Sequence, residues 1–216
     1  MENKRWGRIL ILAGLALAVT GTFLAWRAMV APRAPAGAVP ETRAATVLKD
    51  DKPLPPFDFG KAGGRFTNRD LEGRWTFLFF GYTQCPDICP TALALMARVK
   101  AGIVERKGQV PQVAFVSVDP KRDTPALLAQ YVPHFDPSFV GAVGDDAALG
   151  PLVKHLGVFY VRHDKGDDAH YAVDHTAAIY LIDPKGRLLA VFSAPQDAGR
   201  VIEDYLVLSA GETSVR

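Results

Sequence analysis

Both cysteines of this 216-residue chain fall within six residues, Cys85-Pro86-Asp87-Ile88-Cys89-Pro90. Two thiols with three residues between them can close a disulfide or share one soft metal ion. They cannot do both at once, because a disulfide consumes the thiolates that a metal needs. A lone bridge around so short a loop removes little chain entropy, so a purely structural disulfide is the weaker reading. Thiol pairs dedicated to redox exchange are commonly separated by two residues; the third residue here gives the sulfurs room to part around an ion. Thiolates suit copper(I) or zinc, and zinc in a structural site asks for four closed ligands. With no further cysteine in the chain, a third ligand has to be an imidazole or a carboxylate.

Five histidines compete for that place. His134 and His155 fall in helical patterns and read as surface or packing residues, while His163 and His170 border the charged stretch 164–168 and read as solvated. His175 differs: it stands in Val173-Asp174-His175-Thr176, directly before the apolar run that starts at Ala177. Asp174 is a candidate to hold the second ring nitrogen of His175, as ligating imidazoles require. Asp87, between the cysteines, is a candidate to hold the shape of their loop. Residues 119–124 are explained by turn and capping chemistry alone.

The elements that must position these groups follow from periodicity. Trp75–Phe80 reads as a doubly buried strand, followed by a helix over about 90–107. Pro90 suits a first helical position, which makes Cys89 the expected N-cap. Both sulfurs then lie near a helix N-terminus, where partial positive charge favours thiolate. Further along come a strand at 113–118, a helix opened by Asp123-Thr124-Pro125, a strand at 139–143, a helix over 145–156 and a short strand at 158–162. Runs 177–182 and 188–192 around Asp183-Pro184-Lys185-Gly186 read as a hairpin, and a last helix covers about 197–208. Phe57, Phe59 and Phe66 add an N-terminal hairpin. Two βαβ units followed by a hairpin and a helix predict an α/β fold, a thioredoxin-like α/β/α sandwich of the peroxiredoxin type with an N-terminal β-hairpin. Redox enzymes of that architecture place a cis-proline where this chain carries His175. No glycine-rich phosphate loop follows the first central strand, which argues against a nucleotide site.

The N-terminal part predicts an address. Lys4, Arg5 and Arg8 precede an uncharged run from Ile9 to Trp26, long enough for one transmembrane helix, with its N-terminus on the cytoplasmic side. Ala34-Pro35-Ala36 keeps a cleaved signal as the alternative. The expected partition is a cytoplasmic N-terminus at 1–8, an anchor at 9–29, a proline-rich linker at 30–52, a folded domain at 53–209 and a tail at 210–216. Residues 1–33 hold five Lys/Arg against one Glu, and the chain carries +2, which leaves −2 on residues 34–216. The folded part therefore gives no electrostatic case for nucleic acid. The N-terminus lacks the Arg- and Ser-rich stretch of a mitochondrial transit peptide. The expected location is a bacterial inner membrane, single-pass, with the domain in the periplasm.

Three motifs in order, Gly81-Tyr82-Thr83-Gln84-Cys85-Pro86-Asp87-Ile88-Cys89-Pro90, Ser117-Val118-Asp119-Pro120-Lys121-Arg122-Asp123-Thr124, and Val173-Asp174-His175-Thr176 with Tyr180-Leu181-Ile182-Asp183-Pro184-Lys185-Gly186, resemble the Sco/SenC family. The resemblance implies a membrane-tethered copper protein needed for cytochrome c oxidase assembly, with one copper ion, Cu(I) or Cu(II), held by Cys85, Cys89 and His175. It implies delivery to the copper centre of cytochrome c oxidase subunit II, with another periplasmic copper donor and a thioredoxin-like reductant as further partners. The alternative is an enzyme, a thiol-disulfide oxidoreductase in which Cys85 and Cys89 are the redox-active pair that reduces the cysteines of the oxidase copper site. Peroxide reduction is a third possibility, with no residue that singles it out.

Overall fold

The computed structural model describes residues 21–23, 26, 42–48, 52–163 and 171–213. In chain order the elements are β1 (Ala45–Val47), β2 (Asp58–Lys61), β3 (Gly64–Thr67), β4 (Thr76–Gly81), α1 (Ile88–Glu105), β5 (Gln112–Ser117), α2 (Pro125–Tyr131), β6 (Val140–Val143), α3 (Asp146–Leu156), β7 (Tyr160–Arg162), β8 (Val173–His175), β9 (Ile179–Ile182), β10 (Leu188–Phe192) and α4 (Ala198–Thr213). Eight strands form one sheet in the order β1-β10-β9-β4-β5-β6-β2-β3, and β7 and β8 form a separate two-stranded ribbon.

The middle of the sheet explains the apolar runs. Every residue of β4 is buried, as are all but the first of β5. Strands buried on both faces need cover on both faces, which is why they read as continuous rather than alternating hydrophobic segments. Strands β4, β5 and β6 are parallel, and β9 returns antiparallel on the other side of β4, pairing Phe79 with Ile179. Helices α1 and α4 pack on each other, and α2 packs on β6 and β2. The helix starts obey their signals: Thr124 Oγ1 accepts from the Leu127 N–H at 3.2 Å ahead of Pro125, and Asp145 accepts from Ala148 at 2.8 Å. The β9–β10 hairpin turns at Gly186, whose φ of 73° is a conformation an L-residue resists.

Three features depart from the sequence reading. Helix α1 starts at Ile88 with Asp87 as its N-cap, two residues earlier than Pro90 suggests. The first four amides of a helix have no intrahelical acceptor, so proline fits the third position as well as the first. Part of the stretch read as linker is structure: β1 pairs with β10, Thr46 opposite Val191. The reason is remote in sequence, since the Asp204 carboxylate accepts the N–H groups of Arg43 (2.9 Å), Ala44 (2.7 Å) and Ala45 (2.8 Å). Finally, the strand expected at 158–162 acquires a partner that periodicity did not reveal, Val173–His175. Among the described residues no helix is long and apolar enough to cross a membrane. The expected anchor at 9–29, apart from helical residues 21–23 and 26, lies outside the described residues, as do most of the proline-rich linker and His170.

Candidate metal centre

Strand β4 ends at Gly81, and the chain must turn before α1 can pack back on the sheet. That turn carries Cys85, whose N–H donates to the Tyr82 carbonyl at 3.3 Å. Cys85 is half-buried and Cys89 is fully buried, and neither is bonded to the other. Their relation is instead one of capping: the Cys89 N–H, an orphan of the first helical turn, points at Cys85 Sγ at 3.5 Å. Asp87, as N-cap, accepts the Thr91 N–H on its carbonyl at 3.1 Å and the Thr91 hydroxyl on its carboxylate at 3.3 Å.

The expectation that the helix N-terminus makes both sulfurs acidic fails for Cys89. Burial pushes its thiol well up, and the neighbouring Cys85 sulfur adds to that, against a smaller opposing backbone hydrogen bond. Desolvation of a fully enclosed thiolate outweighs the dipole of one helix turn. Cys89 therefore keeps its proton until a cation replaces it.

His175 closes the site from the far end of the β7–β8 ribbon. Its Nε2 lies 3.4 Å from Cys89 Sγ, and its Nδ1 lies 3.2 Å from the Thr176 carbonyl. A carbonyl oxygen only accepts, so Nδ1 carries the proton and the Nε2 lone pair faces the sulfurs. Burial lowers the imidazole pKa, with the Thr176 carbonyl opposing, so the ring is neutral as ligation requires. Phe79 and Tyr82 stand edge-on to it, each with ring centroids 6.0 Å away. Asp174 does not hold the ring. Successive strand residues face opposite sides, and its carboxylate meets His163 Nε2 at 2.7 Å on the exposed side of the ribbon. The backbone carbonyl of Thr176 does the work expected of Asp174.

The donor atoms of Cys85, Cys89 and His175 all lie within 4.8 Å of one another, and no other cluster of three such ligands occurs among the described residues. Bonds of about 2.3 Å to sulfur and about 2.0–2.1 Å to imidazole place trigonal or tetrahedral donors roughly 3.4–4.0 Å apart, so the set fits one ion without rearranging the fold. Two sulfurs and one nitrogen are too few for closed structural zinc and are the donor types that favour copper(I). Residues missed at the sequence level surround this set: Phe79 and Tyr82 wall the imidazole, and Asp123 accepts the Thr83 hydroxyl (2.5 Å) and the Ser117 hydroxyl (2.5 Å), tying the thiol loop to β5.

Fold and site together define a thioredoxin-like domain in which the thiol pair is joined by an imidazole into a site for a soft metal. The SCO1/SenC family model matches residues 47–208, and the chain belongs to that family. The SCO2-like protein RC0895 of Rickettsia conorii is 38% identical over 146 residues, which is 65% of this chain and 71% of that one. The structure of Bradyrhizobium japonicum ScoI with copper bound shares 34% identity at a TM-score of 0.63, covering 73% of this chain and 99% of that one. Arabidopsis thaliana ScoI with copper bound shares 31% identity at a TM-score of 0.67, covering 72% and 97%.

Proposed function

We propose that this protein is a metallochaperone that takes up one copper ion on Cys85, Cys89 and His175 and delivers it to the copper centre of cytochrome c oxidase subunit II. The observation that carries this is the convergence of two sulfurs and a neutral imidazole, remote along the chain, within 4.8 Å. Two of the similar structures hold copper, and the family's association with cytochrome c oxidase assembly supplies the recipient. Copper is cargo here. Uptake releases the Cys89 proton; release requires an incoming ligand, and half-buried Cys85 is the sulfur it can reach. Anchoring of the domain by residues 9–29 on the periplasmic face of a bacterial inner membrane would raise its encounter rate with a membrane-bound acceptor, with a periplasmic copper donor upstream.

The pairing of one accessible and one buried thiol favours a second reading. Cys85 thiolate would attack a disulfide in the recipient, and Cys89 would resolve the mixed disulfide, leaving the recipient reduced and Cys85–Cys89 oxidised. A thioredoxin-like reductant would then restore the pair.

Titration of the reduced protein with copper(I) against a competing chelator tests both readings, read together with oxidase assembly in cells. Wild type is expected to bind one equivalent; His175→Ala should lose tight binding and oxidase assembly yet still form the Cys85–Cys89 disulfide, and Cys85→Ser should lose both. A wild type that takes up no copper, with normal oxidase assembly in His175→Ala, overturns the chaperone reading.

A further inference from the structure

The two halves of the copper site stand on different parts of the fold. Cys85 belongs to the β4–α1 connection and Cys89 to the first turn of α1, on the side of the eight-stranded sheet, whereas His175 rides on the separate β7–β8 ribbon. Something has to set how the ribbon meets the thiol loop. On the β7 side, Arg162 donates to the Val118 carbonyl at 2.8 Å and pairs with Asp146, so that edge is moored to the residue that follows β5 and to the start of α3. The β8 side is moored differently. Arg122 Nε donates to Asp119 Oδ2 at 2.5 Å, and its Nη1 donates to the Tyr171 carbonyl at 2.9 Å and to Gln84 Oε1 at 3.2 Å. Its guanidinium lies 3.6 Å from the Tyr171 ring centroid and 5.4 Å from that of Tyr82. The Tyr171 hydroxyl donates to the other oxygen of Asp119. One side chain thus touches Gln84 beside Cys85, the Tyr82 ring that stands against His175, and Tyr171, two residues ahead of the strand that carries His175.

A buried ion pair of this kind is poor evidence of stabilisation, because desolvating both charges offsets most of their attraction. The Arg122 side chain is 10% exposed and that of Asp119 fully buried. What such a network supplies is a fixed geometry, and a planar guanidinium that stacks and forks does so in a way an ammonium cannot.

We propose that Arg122, gripped by Asp119 and seated between Tyr171 and Tyr82, is a positioning residue that sets where the His175 imidazole meets the two sulfurs, so that copper affinity depends on it although it is no ligand. The proposal rests on the copper-binding reading above.

The test compares wild type, Arg122→Gln and Arg122→Lys in the full chain, with copper itself as the probe. Copper(I) affinity should fall about 10–100-fold in both variants, the range for losing a group that orients a ligand. The thiolate-to-copper(II) absorption band should move toward that of His175→Ala, a change that a merely stabilising residue would not cause. In the copper-free protein, the Thr176 and His163 amides, bonded to Phe159 and Ala172, should exchange faster while β4 and β5 amides keep wild-type protection. Should Arg122→Gln fail to fold, Arg122→Lys retains the charge opposite Asp119 and carries the test. A folded variant with wild-type affinity and absorption overturns the proposal. If wild type itself takes up no copper, the functional reading fails, and amide exchange in the copper-free variants still decides whether Arg122 holds the ribbon.

Discussion

Gly81 offers the sharpest test of how the thiol pair is seated. It is the last residue of β4, and a Cβ built there would lie 2.5 Å from Cys89 Sγ and 2.9 Å from Phe115 Cε2. Ordinary contact begins at 3.4 Å, so in Gly81→Ala the sulfur must retreat by about 0.9 Å or rotate out of its well, and the Phe115 ring must give as well. Overpacking of this sort costs about 1–3 kcal/mol. For a domain of this size each kcal/mol moves the midpoint by about 2–4 °C. The metal is less forgiving than the core, since bond lengths tolerate only about 0.2 Å and Cys89 Sγ already sits 3.4 Å from His175 Nε2. Copper(I) affinity should therefore fall by at least about 10-fold, on the scale of lost ligand orientation. Thermal unfolding of the copper-free protein and chelator competition measure the two effects separately. An alanine variant with wild-type midpoint and wild-type affinity refutes the packing argument.

Further outcomes follow from burial and from the edge of the sheet. Copper uptake must expel the proton that burial holds on Cys89, so apparent affinity should fall about tenfold per pH unit as pH drops, from that proton alone. His175, whose pKa burial lowers, should add to the slope only at pH values below that of an ordinary imidazole. Affinity that does not change between pH 8 and pH 6 contradicts this. Asp204→Ala removes the acceptor for the Arg43, Ala44 and Ala45 amides and should cost about 2–3 kcal/mol, the scale of hydrogen bonds to a charged group. Urea denaturation measures it, and β1 amides should lose protection first; an unchanged midpoint with β1 intact would refute the role given to Asp204.

What the sequence by itself determined was local chemistry and whatever repeats within an element. The continuous apolar runs announced the central strands because strands buried on both faces carry no polar alternation. Thr124-Pro125, Asp145 and Asp183-to-Gly186 marked helix starts and a turn because caps and turns are made by neighbours in the chain. The cysteine spacing and the context of His175 named the three metal-binding candidates. Only the tertiary structure decided how these act. Whether Cys89 is acidic depends on how deeply the sheet and α1 enclose it, and enclosure overrode the helix dipole. Asp174 lost its expected role because β8 turns it away from His175, and a three-residue strand is too short for periodicity to reveal. Arg122 and Asp204 act on partners tens to more than a hundred residues away, Tyr171 in one case and Arg43 in the other. Such pairings leave no pattern in a single sequence, because a side chain's reach across the fold is set by packing and not by spacing along the chain.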